Sequence, residues 1–139
     1  MQQSITSESR ANINPLTSKY SFTVFPDSLN YAGTLFGGKL LSEMDLAASN
    51  AARKWLYHTS CDGLVTAQLS EVNFKSPGML GDIVEIDCTL TKVGMSSITV
   101  LVNVTKESKT GQGGAICDAR FVFVALKDGL PFPHNIELN

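Results

Sequence analysis

One long stretch with helical periodicity limits the possible folds of this chain more than any other feature. Between about Gly38 and Tyr57, apolar side chains recur at spacings of three and four residues. At ~100° per residue they share an arc of roughly 140°, and they are Leu40, Leu41, Met44, Ala47, Ala48, Ala51, Ala52 and Trp55. The pattern predicts a single helix of about 18 residues, roughly 27 Å long.

The remaining segments are typical of β-strands. "KYSFTVF", "IVEIDCTL" and "ITVLVNVT" alternate between apolar and polar positions, and "AICDARFVFVAL" indicates a long final strand. "LVTAQLSEVNF" is extended but does not alternate cleanly, as expected for a strand contacted on both faces. Because the connections are short, neighbouring strands should be antiparallel. We therefore predict an α+β fold in which an antiparallel sheet of about five strands wraps around one long central helix.

The length of 139 residues suits a single domain with a sizeable core. We predict a flexible segment over residues 1–15, one domain over 16–133 and a C-terminal tail over 134–139. A small sheet leaves an edge strand unpaired, and pairing that edge with a second copy would cover it. The expected assembly is therefore a homodimer.

Composition excludes several classes of partner and location. The net charge of −2 and the lack of a basic stripe argue against nucleic-acid binding. The polar start "MQQSITSESRANIN" lacks the apolar core of a signal peptide, and no apolar run reaches the ~18 residues of a membrane span. We expect a cytoplasmic protein with no membrane insertion. The three widely spaced cysteines predict free thiols and no zinc or other metal site.

The candidate chemistry lies in the segment "NYAGTLFGGKLLSEMD". Asp45 borders the apolar arc of the predicted helix, and free N–H groups at the helix start, near Gly37 and Gly38, can hold a developing oxyanion. The amide of Asn30, in the same loop, can orient a water or polarise a carbonyl. Together these groups suit acyl transfer without Ser or His. The alternative is a solvated boundary aspartate, which is what we expect of Glu43 on the opposite border.

Other familiar sites are missing from the sequence. No G-x-S-x-G nucleophile elbow occurs, and "GQGG" is not followed by a helix pattern as a phosphate loop would be. The two histidines, His58 and His134, lack metal-ligand spacing with any partner.

The segment "NYAGTLFGGKLLSEMDLAASNAA" resembles the signature of hotdog-fold acyl-CoA thioesterases, and the resemblance extends over about residues 18–133. It implies a hotdog fold and hydrolysis of acyl-CoA to a free acid and coenzyme A. It also implies a dimer, or a tetramer or hexamer built from dimers, with two active sites between subunits. Asp45 of one subunit would act as base or nucleophile together with Asn30 of the other. No cofactor is implied beyond the coenzyme A of the substrate.

Coenzyme A carries phosphates, which need basic or hydroxyl partners. The resemblance leads us to predict substrate-binding roles for Lys75 in "NFKSPG" and for Lys92, Ser96 and Ser97 around "KVGMSS". Ordinary surface lysines near turns are the alternative.

Two other functions remain open. Hotdog hydratases and dehydratases resemble one another in pairing a histidine with a carboxylate, but Asn50 stands five residues after Asp45, where one such group has histidine. A non-catalytic acyl-CoA-binding module would keep the pocket without using the acid.

Overall fold

The computed structural model describes residues 16–107 and 113–138. Within these ranges the one α-helix, α1, spans Gly37–Trp55. The strands are β1 (Thr17–Thr23), β2 (Gly63–Phe74), β3 (Ile83–Val93), β4 (Ser97–Glu107), β5 (Gly114–Lys127) and the short β6 (Leu130–Pro131). The segment predicted to be flexible, residues 1–15, lies outside the described residues.

The strands form one antiparallel sheet with the order β1-β3-β4-β5-β2, and β6 pairs with the end of β5. The predicted α+β class, with one helix packed on an antiparallel sheet, is confirmed. The sheet gains its sixth strand because Asp128 and Gly129 adopt positive φ angles and turn the chain sharply back. β1 and β2 are the two edges of the five-strand path, and each borders the helix.

Helix α1 buries the predicted apolar stripe against the inner face of the sheet. Its buried residues are Leu40, Met44, Ala47, Ala48, Ala51, Ala52 and Trp55. The four alanines allow close approach to large side chains on the central strands, such as Ile86, Phe121 and Phe123. Strands β3, β4 and β5 alternate because one face of each points at this core. The helix orientation, and with it the position of Asp45, is thus fixed by packing.

Strand β2 does not follow this pattern. Most of its residues are exposed in the single chain, and its pairing with β5 is interrupted twice, between Thr66 and Gln68 and between Ser70 and Asn73. Exposed apolar side chains on β2 include Val65, Leu69 and Phe74. Within one chain, therefore, the second set of contacts predicted for this strand is not made.

The described residues of the C-terminal segment, 134–138, pack onto the core, contrary to the prediction of a tail over 134–139. Ile136 is buried in the hydrophobic core, and His134 is only 2% exposed. The His134 Nε2 lies 2.9 Å from the Ser97 carbonyl oxygen, and its Nδ1 accepts a hydrogen bond from the Ile136 N–H, also at 2.9 Å. These bonds and the burial of Ile136 anchor the segment to the start of β4.

The three cysteines are free thiols; Cys88 and Cys117 are buried, whereas Cys61 is half-buried. Burial raises the pKa of Cys88 to about 12 and that of Cys117 to about 11, so these two thiols stay protonated at neutral pH. Among the described residues, no helix is long and apolar enough to cross a bilayer.

Candidate active site

The loop before α1 is organised by the side chain of Asn30. Its Oδ1 accepts hydrogen bonds from the N–H groups of Ala32 (3.0 Å) and Thr34 (3.1 Å), and its Nδ2 donates to Thr34 Oγ1 (3.0 Å). Gly33, with φ of +82°, supplies the left-handed residue of this tight turn. Asn30 is half-buried, and its side-chain bonds within the described residues all lie in its own loop.

The start of α1 has free hydrogen-bond donors. Phe36 caps the helix without a side-chain bond, and the first helical N–H to find an acceptor is that of Leu40, which donates to the Phe36 carbonyl. Among the described residues, the N–H groups of Gly37 and Gly38 have no acceptor. These N–H groups are therefore without a partner in the chain, and their role in holding an oxyanion stays a prediction.

A cleft of about 400 Å³ opens beside this helix start. Gly37, Leu40 and Phe74 line it together with the segment from Lys75 to Gly78. Lys75 reaches the cleft but is not a free cation, because its Nζ lies 2.7 Å from Asp118 Oδ2. The hydrogen bond from Lys75, aided by one from Asn73, lowers the pKa of Asp118, so this carboxylate is ionised and holds the lysine.

Asp45 lies on the border of α1 that faces β2. It is half-buried, and its Oδ1 accepts a hydrogen bond of 2.9 Å from the Thr66 hydroxyl. The sequence did not identify Thr66, although a polar residue interrupting the apolar run "GLVTAQL" was a visible signal. The contact joins residues 21 positions apart, and it depends on β2 being the strand beside this border of the helix.

One chain does not bring all these groups to a single point. Gly37 and Gly38 precede Asp45 by eight and seven residues on the same helix. At about 1.5 Å per residue, their amides are about 10 to 12 Å from the aspartate along the axis. No hydrogen bond joins Asn30 to Asp45 within the described chain. The structure therefore separates a donor end, with Asn30 and the glycine amides, from a carboxylate end, with Asp45 and Thr66.

The opposite border of the helix carries a second half-buried carboxylate. Glu43 accepts a hydrogen bond of 3.1 Å from the Tyr20 hydroxyl on β1 and pairs with Lys39 Nζ, also at 3.1 Å. Its side chain is only 14% exposed, so the expectation that Glu43 is simply solvated was wrong. Burial, together with the nearby Glu43, raises the pKa of the Tyr20 hydroxyl, which therefore remains a donor.

The other predicted phosphate-binding residues lie around the β3–β4 turn. Lys92 is exposed, whereas Ser96 and Ser97 are half-buried. The carbonyl of Ser97 accepts the N–H of Gly94, which closes the turn.

This turn is far from Lys75 within one chain. Lys92 is level with Val122 on β5 through the pairing of Thr99, whereas the backbone of Lys75 bonds to Ile116 on β5. Six residues of strand separate these levels, about 20 Å. Lys75 and Lys92 of one chain therefore cannot hold the same phosphate group. In the described part of the chain, no group of three or more His, Cys, Asp or Glu side chains is arranged to hold a metal ion.

Comparison with known proteins gives a consistent picture. The model of the thioesterase superfamily matches residues 32–111. An uncharacterized acyl-CoA thioester hydrolase of Bacillus subtilis is 40% identical over 113 residues, which cover 79% of this chain and 63% of that protein. The chain thus spans less than two thirds of the length of that relative.

Solved structures have the same fold. An apo-hexameric acyl-CoA thioesterase superposes with a TM-score of 0.83 at 29% identity, covering 94% of this chain and 81% of the other. An acyl-CoA hydrolase from Staphylococcus aureus, solved with butyryl coenzyme A and coenzyme A, has a TM-score of 0.79 at 26% identity, covering 94% and 79%. The S. aureus enzyme has also been solved with an aspartate, an asparagine or a threonine replaced by alanine. The hotdog fold predicted from the sequence is confirmed.

Proposed function

Because the chain belongs to the thioesterase superfamily, we propose that it hydrolyses acyl-CoA thioesters to a free acid and coenzyme A. The observation that carries the proposal is the separation of donor end and carboxylate end along one helix. Free amides suit the oxygen of a thioester carbonyl, and a carboxylate held by a hydroxyl suits attack on its carbon. Thiolate is a good leaving group, so the reaction does not depend on a strong general acid.

Asp45 is the reactive group of this proposal. The Thr66 hydroxyl fixes its Oδ1, and among the described residues Oδ2 has no donor. Oδ2 can therefore take a proton from a water that attacks the thioester, or it can attack the carbonyl itself and form an anhydride that water then opens. Both routes require the ionised carboxylate, and both end with the acid and the free thiol.

The donor end must come from a second copy of the chain. A helix is too rigid to bring Gly37 within reach of a carbonyl at Asp45 of the same chain. Strand β2, which carries Thr66, is an edge strand with exposed apolar side chains, and a second β2 edge would cover it. We infer a homodimer joined along β2, in which each site takes Asp45 from one subunit and the glycine amides and Asn30 from the other. Hexameric structural neighbours are compatible with three such dimers.

Mixing two inactive variants tests this arrangement. Co-expressed Asp45→Asn and Asn30→Asp chains would form mixed dimers in which one site carries both defects and the other carries none. With random pairing in a twofold dimer, roughly a quarter of wild-type activity should return. Each variant alone is the matched control. No recovery from mixed dimers of demonstrated composition would show that Asp45 and Asn30 do not act across the interface.

The hydrolase itself is tested by thiol release from acyl-CoAs of several chain lengths, followed spectroscopically. Release by the wild type and not by Asp45→Asn supports the proposed reaction. Tight binding of acyl-CoA without release would instead identify a binding module.

A further inference from the structure

The second cavity of interest lies on the open face of α1, away from the cleft at the helix start. It has a volume of about 490 Å³ and is bounded by β1, the C-terminal half of α1 and the first residues of β2. Polar side chains in its lining include Ser18 and Asn50, and neither makes a side-chain hydrogen bond within the described residues. The cavity thus contains two polar side chains whose hydrogen-bonding groups are unused within the described residues.

Two cations of this cavity also lack partners. Of the nine Lys and Arg side chains in the described residues, six contact a carboxylate or a backbone carbonyl; these are Lys19, Lys39, Lys75, Lys106, Arg120 and Lys127. The described cations without such a contact are Arg53, Lys54 and Lys92, and the first two line this cavity. The one carboxylate in the lining, Asp62, instead faces the backbone N–H of Asp128 at 3.3 Å.

An aromatic ring completes the cavity. Tyr57 is 81% exposed, and its ring meets His58 edge-on with centroids 6.1 Å apart. One face of the Tyr57 ring can therefore accept a planar base. Unpaired cations, free polar side chains and an exposed ring together suit a phosphorylated nucleoside.

We propose that this cavity binds the phosphorylated adenosine end of coenzyme A, with Arg53 and Lys54 on its phosphates and Tyr57 beside the base. The inference rests on the proposed function, because it requires the thioester to lie near Asp45. Arg53 follows Asp45 by eight residues, about 12 Å along the helix. Leu46, an exposed apolar residue on the same open face, lies between them and would contact the linear arm of the cofactor. The site thus replaces Lys75 and Lys92 as the main phosphate contact.

Helix geometry offers a competing explanation for the two cations. Arg53 and Lys54 occupy the last turn of α1, where positive charge offsets the helix dipole. That role would affect stability and not ligand binding, so the two explanations predict different measurements.

The test compares Arg53→Gln/Lys54→Gln with Arg120→Gln/Lys127→Gln, which removes the same charge outside the cavity. Binding of adenosine 3′,5′-bisphosphate is measured by calorimetry, and hydrolysis is measured with acyl-CoA and with acyl-pantetheine, which lacks the nucleotide. We expect the cavity variant to bind the bisphosphate about tenfold more weakly or worse. Its KM for acyl-CoA should rise by a similar factor, while kcat and the hydrolysis of acyl-pantetheine stay unchanged.

The outcomes separate this inference from the proposed reaction. Equal bisphosphate binding by both double variants, or no binding by the wild type, would overturn the nucleotide site even if acyl-CoA is hydrolysed. A lower melting temperature of the cavity variant with unchanged binding would assign the cations to the helix end alone. Bisphosphate binding that depends on Arg53 and Lys54, in a protein that releases no thiol, would support the site and refute the hydrolase.

Discussion

Each border of helix α1 carries a carboxylate that accepts a hydrogen bond from a hydroxyl on an edge strand, but the two carboxylates differ in their other partners. On one border, Asp45 accepts a hydrogen bond from Thr66 on the edge strand β2. On the other, Glu43 accepts one from Tyr20 on the edge strand β1 and also pairs with Lys39. The charge of Glu43 is thus balanced within the chain, whereas Asp45 keeps one oxygen free. A carboxylate beside a hydroxyl is therefore not a functional signal by itself. Asp45 differs in having an unused oxygen next to β2, the edge strand whose apolar side chains are exposed.

The largest difference between the borders should appear when Asp45 loses its charge. Asp45→Asn should lower kcat by about 1000-fold, because an amide can neither take up a proton nor attack a thioester. Steady-state kinetics with acyl-CoA would measure this loss, and melting temperature and light scattering should show the fold and assembly unchanged. Full activity would mean that Asp45 is only a solvated boundary charge.

The donor end should be the next most sensitive. Asn30→Asp keeps a side-chain oxygen that can accept the N–H groups of Ala32 and Thr34, so the loop should persist, but it removes the amide donor. We expect kcat to fall about 100-fold with little change in melting temperature. Wild-type turnover in this variant would show that Asn30 serves only the turn.

Removing the Thr66 hydroxyl, which orients the Asp45 carboxylate, should have a smaller effect on kcat. Thr66→Val keeps the side-chain shape and removes the 2.9 Å hydrogen bond to Asp45. Because a hydrogen bond to a charged group is worth about 1.5–3 kcal/mol, kcat should fall at least about tenfold. Thr66→Ser should restore most of the rate, whereas a purely structural role would lower the melting temperature of the valine variant without this rescue.

The smallest effect belongs to the opposite border. Glu43→Gln can still accept the Tyr20 hydroxyl and loses only its ion pair with Lys39, which lies four residues earlier on the same helix. The free energy of unfolding should fall by at most about 0.5 kcal/mol, as judged by denaturant titration, and kcat should not change. Losses in kcat equal to those of Asp45→Asn would remove the distinction between the borders.

Much of the fold was predictable because its signals are local. The stripe on α1 and the alternation of β3 and β4 follow from one buried face per element, and short turns imply antiparallel neighbours. The burial of Ile136 and His134 was not predictable, because two apolar residues in a short polar segment do not reveal that the segment packs against the start of β4. β6 was missed for a similar reason, since two residues carry no pattern.

The candidate site was likewise predictable only where its residues lie close together in the sequence. Asn30, Gly37, Gly38 and Asp45 lie within one short segment and were visible there, although their chemical roles stay predictions. Thr66 and the partners of Glu43 depend on which strands border the helix, and the sheet order supplies that information.

The spacing along α1 has a consequence for how this protein responds to dilution. Helix α1 of one chain holds the glycine amides and Asp45 about 10 to 12 Å apart. If the reacting centre needs both groups close together, it can form only between two chains, and a well-folded monomer is inert. Below the dissociation constant of the dimer, the rate would then scale with the square of the protein concentration, although circular dichroism would report no loss of structure. Synthesis level alone could thus switch the activity on, without any effector or modification.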